Sequence, residues 1–135
     1  MNANVLFLCP HNAAKSLIAA VYFNRLAEQV GLFAKGDSAG TEPSDAVMPV
    51  VAEMLLKDGV DVSDYKPRHM MPEELESAAL IVSIGCTPQE LTEATAPIEY
   101  WDDVPMVSQD PEGSRDAIRV HVEELVERLQ RQKLS

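Results

Sequence analysis

Hydrophobic positions along the chain fall into blocks with two different periods. Val5-Leu6-Phe7-Leu8 is an unbroken apolar run ended by Cys9-Pro10, and it predicts a short strand buried on both faces. Ser16 then opens a segment in which Leu17, Val21, Phe23, Leu26 and Val30 recur at mostly helical spacing, with Gly31 as a C′ stop. Residues 32–35 predict a second strand, and Gly36-Asp37-Ser38-Ala39-Gly40 has the composition of a loop. Ser44 or Asp45 is positioned to cap a helix carrying Val47, Val50, Val51, Met54 and Leu55 before Gly59. Pro49 falls near its first turn, where a missing N–H costs least.

Residues 60–69 are polar and turn-rich, and Pro72-Glu73-Glu74-Leu75 begins a short helix with acids at its positive end. Leu80-Ile81-Val82-Ser83-Ile84 is the clearest buried strand, closed by Gly85-Cys86. Thr87 with Glu90 three residues later is a capping-box pattern for a short helix, and residues 98–101 form a weaker fourth strand. From Gly113 onward Ile118, Val122, Leu125, Val126 and Leu129 recur at helical spacing with charges between them, which predicts an amphipathic helix on the core. Strands alternating with helices argue for the α/β class. The expectation is one domain over residues 1–135, a parallel four-stranded sheet with helices on both faces and right-handed crossovers.

Composition narrows the function. The chain has 135 residues, 46% hydrophobic and 24% charged, an ordinary globular balance that excludes a disordered tail or a coiled-coil rod. A net charge of −11 repels polyphosphate backbones and anionic headgroups, so neither nucleic acid nor a membrane surface is expected as a partner. No apolar run approaches the ~20 residues that span a bilayer, and Met1-Asn2-Ala3-Asn4 carries no basic leader region, which makes the cytoplasm the expected compartment. Cys9 and Cys86 form no C-x-x-C and have no histidine at ligand spacing, which disfavours zinc and a disulfide scaffold. Catalysis, redox chemistry or plain packing remain for them, and no cofactor is implied.

Ligands of parallel α/β sheets bind at the carboxyl ends of the strands, beside helix N-termini. The first such place here is Cys9-Pro10-His11-Asn12-Ala13-Ala14-Lys15-Ser16. A tight loop over a helix N-terminus gathers amide donors and the positive end of the dipole on one concavity, which suits a tetrahedral oxyanion and favours a thiolate. Lys15 adds positive charge, and Ser16 can donate its hydroxyl to Cys9. A buried cysteine that merely ends a strand is the plain alternative.

The segment also resembles a known family. Val5-Leu6-Phe7-Leu8-Cys9, five intervening residues, a cation at 15 and Ser16 are similar to the C-x5-R-S loop of low-molecular-weight protein tyrosine phosphatases and thioredoxin-coupled arsenate reductases. Ser38-Ala39-Gly40-Thr41, Pro49, Gly59-Val60-Asp61, Ile81-Val82-Ser83-Ile84-Gly85-Cys86, Trp101 and Asp110-Pro111 extend the resemblance nearly to the whole chain. It implies Cys9 as nucleophile, Asp110 as general acid, Asn12 as the residue holding a strained loop turn, and amides of His11, Asn12, Ala13, Ala14, Lys15 and Ser16 on the oxyanion. Lys15 departs from the family's arginine: charge is kept, and the planar fork that grips two oxygens is lost. Loss of one preorganised donor costs about 2.7–4 kcal/mol of transition-state stabilisation, so a slowed enzyme, or a non-catalytic oxyanion-binding module, stays open.

Within the family, phosphatases carry tyrosines just after the Asp-Pro pair, where this chain has Glu112-Gly113-Ser114. Cys86 matches the reductases' second, resolving cysteine, with a packed strand-end residue as the alternative. Arsenate reduction is therefore the leading expectation and a phosphatase the rival. No third cysteine follows between 87 and 97, so a Cys9–Cys86 disulfide would pass to thioredoxin, or a low-molecular-weight thiol with a glutaredoxin-like protein would act. His69 and His121 read as surface residues, Trp101 as core or rim, and Tyr22, Tyr65 and Tyr100 as ordinary packing. Arg68 is a candidate substitute for the missing guanidinium.

Overall fold

A computed structural model of the chain describes residues 3–134. Met1 and Asn2, part of the stretch read above for a leader, lie outside the described residues.

The apolar run becomes strand β1 (Ala3–Cys9), the second of four parallel strands in the order β2-β1-β3-β4, with β2 (Ala34–Gly40), β3 (Leu80–Ser83) and β4 (Ile98–Tyr100). Side chains of a strand alternate between faces, and β1 accordingly serves two cores. Val5 and Phe7 pack with α1 (Lys15–Gln29), α2 (Pro49–Lys57) and α4 (Pro111–Leu134) through Ile18, Phe23, Val51, Leu55, Ile118 and Leu125. Leu6 and Leu8 pack on the other face with Leu75 of α3 (Pro72–Ser77), Ile81, and Leu91 of the 3₁₀ turn Pro88–Leu91. Helices thus cover both faces of a parallel four-stranded sheet, as the sequence implied. Among the described residues no helix is long and apolar enough to cross a membrane.

Three boundaries differ most from the sequence reading, beside smaller shifts that end β3 at Ser83 and β4 at Tyr100. The stretch 36–40, read as loop, is strand, paired residue by residue with β1 from Val5↔Gly36 to Cys9↔Gly40. Its small residues mark close packing: a Cβ on Gly36 would lie 3.0 Å from the rings of both Phe23 and Phe7, and the Asn24 amide closes both backbone groups of Gly36 at 2.7 and 2.9 Å. Helix α2 begins at Pro49 rather than near Ser44 or Asp45, because proline forces Met48 into extended backbone (ψ 131). Helix α4 begins at Pro111, two residues before Gly113, with the Asp110 carboxylate accepting from Gly113 N–H at 2.9 Å.

Candidate active site at the carboxyl edge of the sheet

Only residues 10–14 lie between the end of β1 and the start of α1. Three of their carbonyls are claimed from outside: Pro10 O accepts from Glu42 N–H at 2.7 Å, His11 O from Ser44 N–H at 3.0 Å and Ala13 O from Met48 N–H at 3.0 Å. In a trans peptide the C=O and the next N–H point in opposite directions. The amides of His11, Asn12 and Ala14 therefore turn away from residues 42–48 and into the loop. Ser16 N–H points at the Cys9 sulfur, 3.3 Å away. Ala14 offers no side-chain cap to α1, so the first amides of that helix and its positive dipole end face the same concavity.

The turn depends on Asn12, which adopts φ 52 and is fully buried; asparagine is among the few side chains that tolerate this region. Its Nδ2 donates to Ser16 Oγ at 2.7 Å, while its Oδ1 accepts from Tyr65 OH at 2.7 Å and from Arg68 N–H at 3.0 Å. Tyr65 OH also lies 2.6 Å from Ser38 Oγ. Ser16 Oγ, having accepted the Asn12 amide, sits 3.1 Å from Cys9 Sγ. A neutral thiol donates to that oxygen; an ionised sulfur receives the serine proton instead.

Gly40 closes the back of the loop. A Cβ there would stand 2.6 Å from the Pro10 carbonyl oxygen and 3.0 Å from that of Cys9. No side chain larger than hydrogen fits without moving the loop.

Cys9, His11, Ala13, Ala14 and Lys15 line one cleft of about 330 Å³, walled also by Pro10, Met48, Ile84, Gly85 and residues 106–108. Asn12 and Ser16 lie behind it. Lys15 Nζ rests 3.5 Å from Val104 O, and His11 Nδ1 lies 3.0 Å from Glu42 O at the exposed rim. Asp110 lines a neighbouring cleft with Val50, Glu53, Lys57 and Arg115, its carboxylate engaged at the start of α4. Arg68, the sequence candidate for an auxiliary guanidinium, is committed elsewhere: both its terminal nitrogens bond Glu74, at 2.8 and 2.6 Å. That bond and the nearby charge hold the Glu74 carboxyl below its usual range.

Cys86, 4% exposed, packs with Leu8, Ala39 and Leu91, and its N–H donates to Ser83 Oγ at 3.2 Å. Burial pushes its thiol up to about 12, and the nearby Glu90 carboxylate pushes the same way. Gly85, the residue before Cys86, lines the same cleft as Cys9.

Tyr65, expected from the sequence to be ordinary packing, instead holds Asn12 from outside the loop together with the backbone of Arg68, and Ser38 in turn bonds Tyr65. Ser38 stood in a recognised segment; Tyr65 had no local signal, since its role is defined only by where the 60–69 stretch lands. Met48 and Met106 were likewise unmarked as cleft walls.

A family model described as low molecular weight phosphotyrosine protein phosphatase matches residues 4–118. A Halobacterium salinarum protein named "Putative arsenate reductase" is 30% identical over 109 residues, covering 79% of this chain and 73% of its own. Among solved structures, YfkJ from Bacillus subtilis superposes with a TM-score of 0.86 at 22% identity, covering 98% of both chains. An arsenate reductase in the phosphate-binding state gives 0.75 at 21% identity, covering 94% of this chain and 98% of that one. At such identities these two likenesses speak for the fold.

Proposed function

The chain belongs to the low molecular weight phosphotyrosine protein phosphatase family, whose members include arsenate reductases and phosphatases, and on that premise we propose that this enzyme reduces arsenate. The observation that carries the choice is Cys86: a second buried thiol next to Gly85, which lines the Cys9 cleft, and one that hydrolysis of a phosphate ester does not need.

In this reading arsenate binds against the inward amides of residues 11–16 with the Lys15 ammonium beside it, and Ser16 holds the Cys9 thiolate. Cys9 Sγ attacks arsenic. The departing oxygen takes a proton from the Asp110 carboxyl group and leaves as water, which requires Asp110 to turn from its own cleft towards that of Cys9. Cys86 Sγ then attacks Cys9 Sγ, its proton passing to an oxygen on arsenic, and the sulfur–arsenic bond breaks with its electron pair on arsenic. Arsenic passes from the pentavalent to the trivalent state and departs as arsenite, while two thiols become one disulfide. Thioredoxin, or a low-molecular-weight thiol with a glutaredoxin-like protein, supplies the two electrons that reopen it.

A phosphatase is the second reading, favoured by the apolar walls of Pro10, Met48, Ile84, Met106 and Val107, which a bare oxyanion does not require. Turnover of arsenate with thioredoxin, its reductase and NADPH, run beside turnover of an aryl phosphate, separates the two. Arsenate-dependent NADPH oxidation that disappears in Cys9→Ser and in Cys86→Ser is expected. Aryl phosphate hydrolysis that survives Cys86→Ser, with no arsenate turnover by the parent, establishes the phosphatase instead.

A further inference from the structure

Lys15 is a cation on a flexible four-carbon stem with no fork geometry, so its position is set by what it touches. It touches the Val104 carbonyl at 3.5 Å. Val104 lies in residues 101–110, a stretch without helix or strand between β4 and α4. Such a stretch presents a carbonyl reproducibly only where it is pinned.

Pins flank Val104 on both sides. Asp103 Oδ1 lies 2.7 Å from His121 Nε2, and the Pro105 carbonyl accepts from the fully buried Ser114 hydroxyl. Ser114 and His121 stand seven residues apart, two turns, and so share one face of α4. The His121 ring also stacks on Trp101, with centroids 4.6 Å apart and planes 12° apart, and Trp101 N–H donates to Ser83 O at 2.9 Å. The indole packs against the rings of both Phe7 and His121. The Asp103 side chain is 71% exposed, and a polar pair at such a surface adds little to stability. Its consequence lies in where the next carbonyl sits.

We infer that the Asp103–His121 pair is a positioning device for the oxyanion site: it fixes Val104, whose carbonyl aims the Lys15 ammonium into the Cys9 cleft. The inference rests on the reading of the Cys9 loop as an oxyanion site. Asp103 and His121 are positioning residues, acting through Lys15 and touching no substrate.

Calorimetric titration with inorganic phosphate tests it in the reduced full chain. Asp103→Ala, a surface replacement, is expected to weaken phosphate binding by about threefold to tenfold, and to change it by less than about 1.5-fold when Lys15 is already Met. His121→Leu should match Asp103→Ala, and His121→Gln, whose amide replaces the Nε2 donor, should restore most of the affinity. An Asp103→Ala protein with parental affinity, or an equal loss in the Lys15→Met background, overturns the inference while leaving the oxyanion site intact. A parent chain that binds no phosphate overturns both.

Discussion

The phenol of Tyr65 donates to Asn12 Oδ1 at 2.7 Å across 53 residues of sequence. That oxygen also takes Arg68 N–H, so the left-handed turn of the loop is secured by a segment that contributes nothing to the cleft itself. Asn12 passes the constraint on, through Nδ2 to Ser16 Oγ and from there to Cys9 Sγ.

Tyr65→Phe removes the donor to Asn12 and the contact with Ser38 Oγ while keeping the ring. Stability should fall by about 1–2 kcal/mol, as expected for lost hydrogen bonds among buried groups. Because Ser16 loses its orientation, kcat should fall more than KM rises. Urea unfolding and steady-state kinetics check both; parental kcat would show that the Asn12 turn holds without Tyr65.

Gly40→Ala asks the loop to accept a Cβ 2.6 Å from the Pro10 carbonyl oxygen. The loop has to move, and with it the amides aimed into the cleft. A loss of roughly 1–3 kcal/mol is expected, together with weaker phosphate binding by calorimetry. Gly36→Ala, whose obstruction is the rings of Phe23 and Phe7, should cost stability and leave phosphate affinity nearly unchanged.

Cys86 makes the protein sensitive to alkali. Its thiol ordinarily ionises near 9.0 and in the fold at about 12, mainly through burial. Between those values the unfolded chain has released a proton that the folded chain still holds, so stability is fully present below about pH 9 and is lost as pH rises towards about 12. Tyr22, raised from 10.0 to about 12 by burial and its bond to Asp58, contributes in the same sense. Urea midpoints under reducing conditions at pH 8 and pH 10.5 should differ less for Cys86→Ala than for the parent. An identical alkaline loss in the two proteins would assign the effect to other groups.

Lys15→Arg restores a two-pronged donor, whose benefit is largest when charge builds on two oxygens in the transition state. It should raise kcat more than it lowers KM, for arsenate and for an aryl phosphate alike. Lys15→Ala should lower kcat/KM for both. If Lys15→Ala matches the parent on both substrates, the cation has no part in the chemistry.

The sequence by itself determined the class of the fold and the location of the loop. An apolar run such as Val5-Leu6-Phe7-Leu8 has no stable fate but a strand covered on both sides, and the spacing of Ile118, Val122, Leu125 and Leu129 gives α4 one apolar face. Cys9, Asn12, Lys15 and Ser16 were legible for the same reason: they lie within eight residues, and a short loop before a helix leaves its donors little choice of direction. What lay beyond that reach belonged to the tertiary structure. Strand β2 runs through Gly36 and Gly40, residues with no strand preference of their own, because β1 supplies the ladder and Phe23 and Pro10 leave no room for side chains. Asn12 is held by Tyr65, Arg68 is spent on Glu74, Lys15 meets Val104 and Asp103 meets His121. Each of these joins residues far apart in the chain, and a hydrogen bond depends on distance and angle in space, which local sequence pattern does not encode.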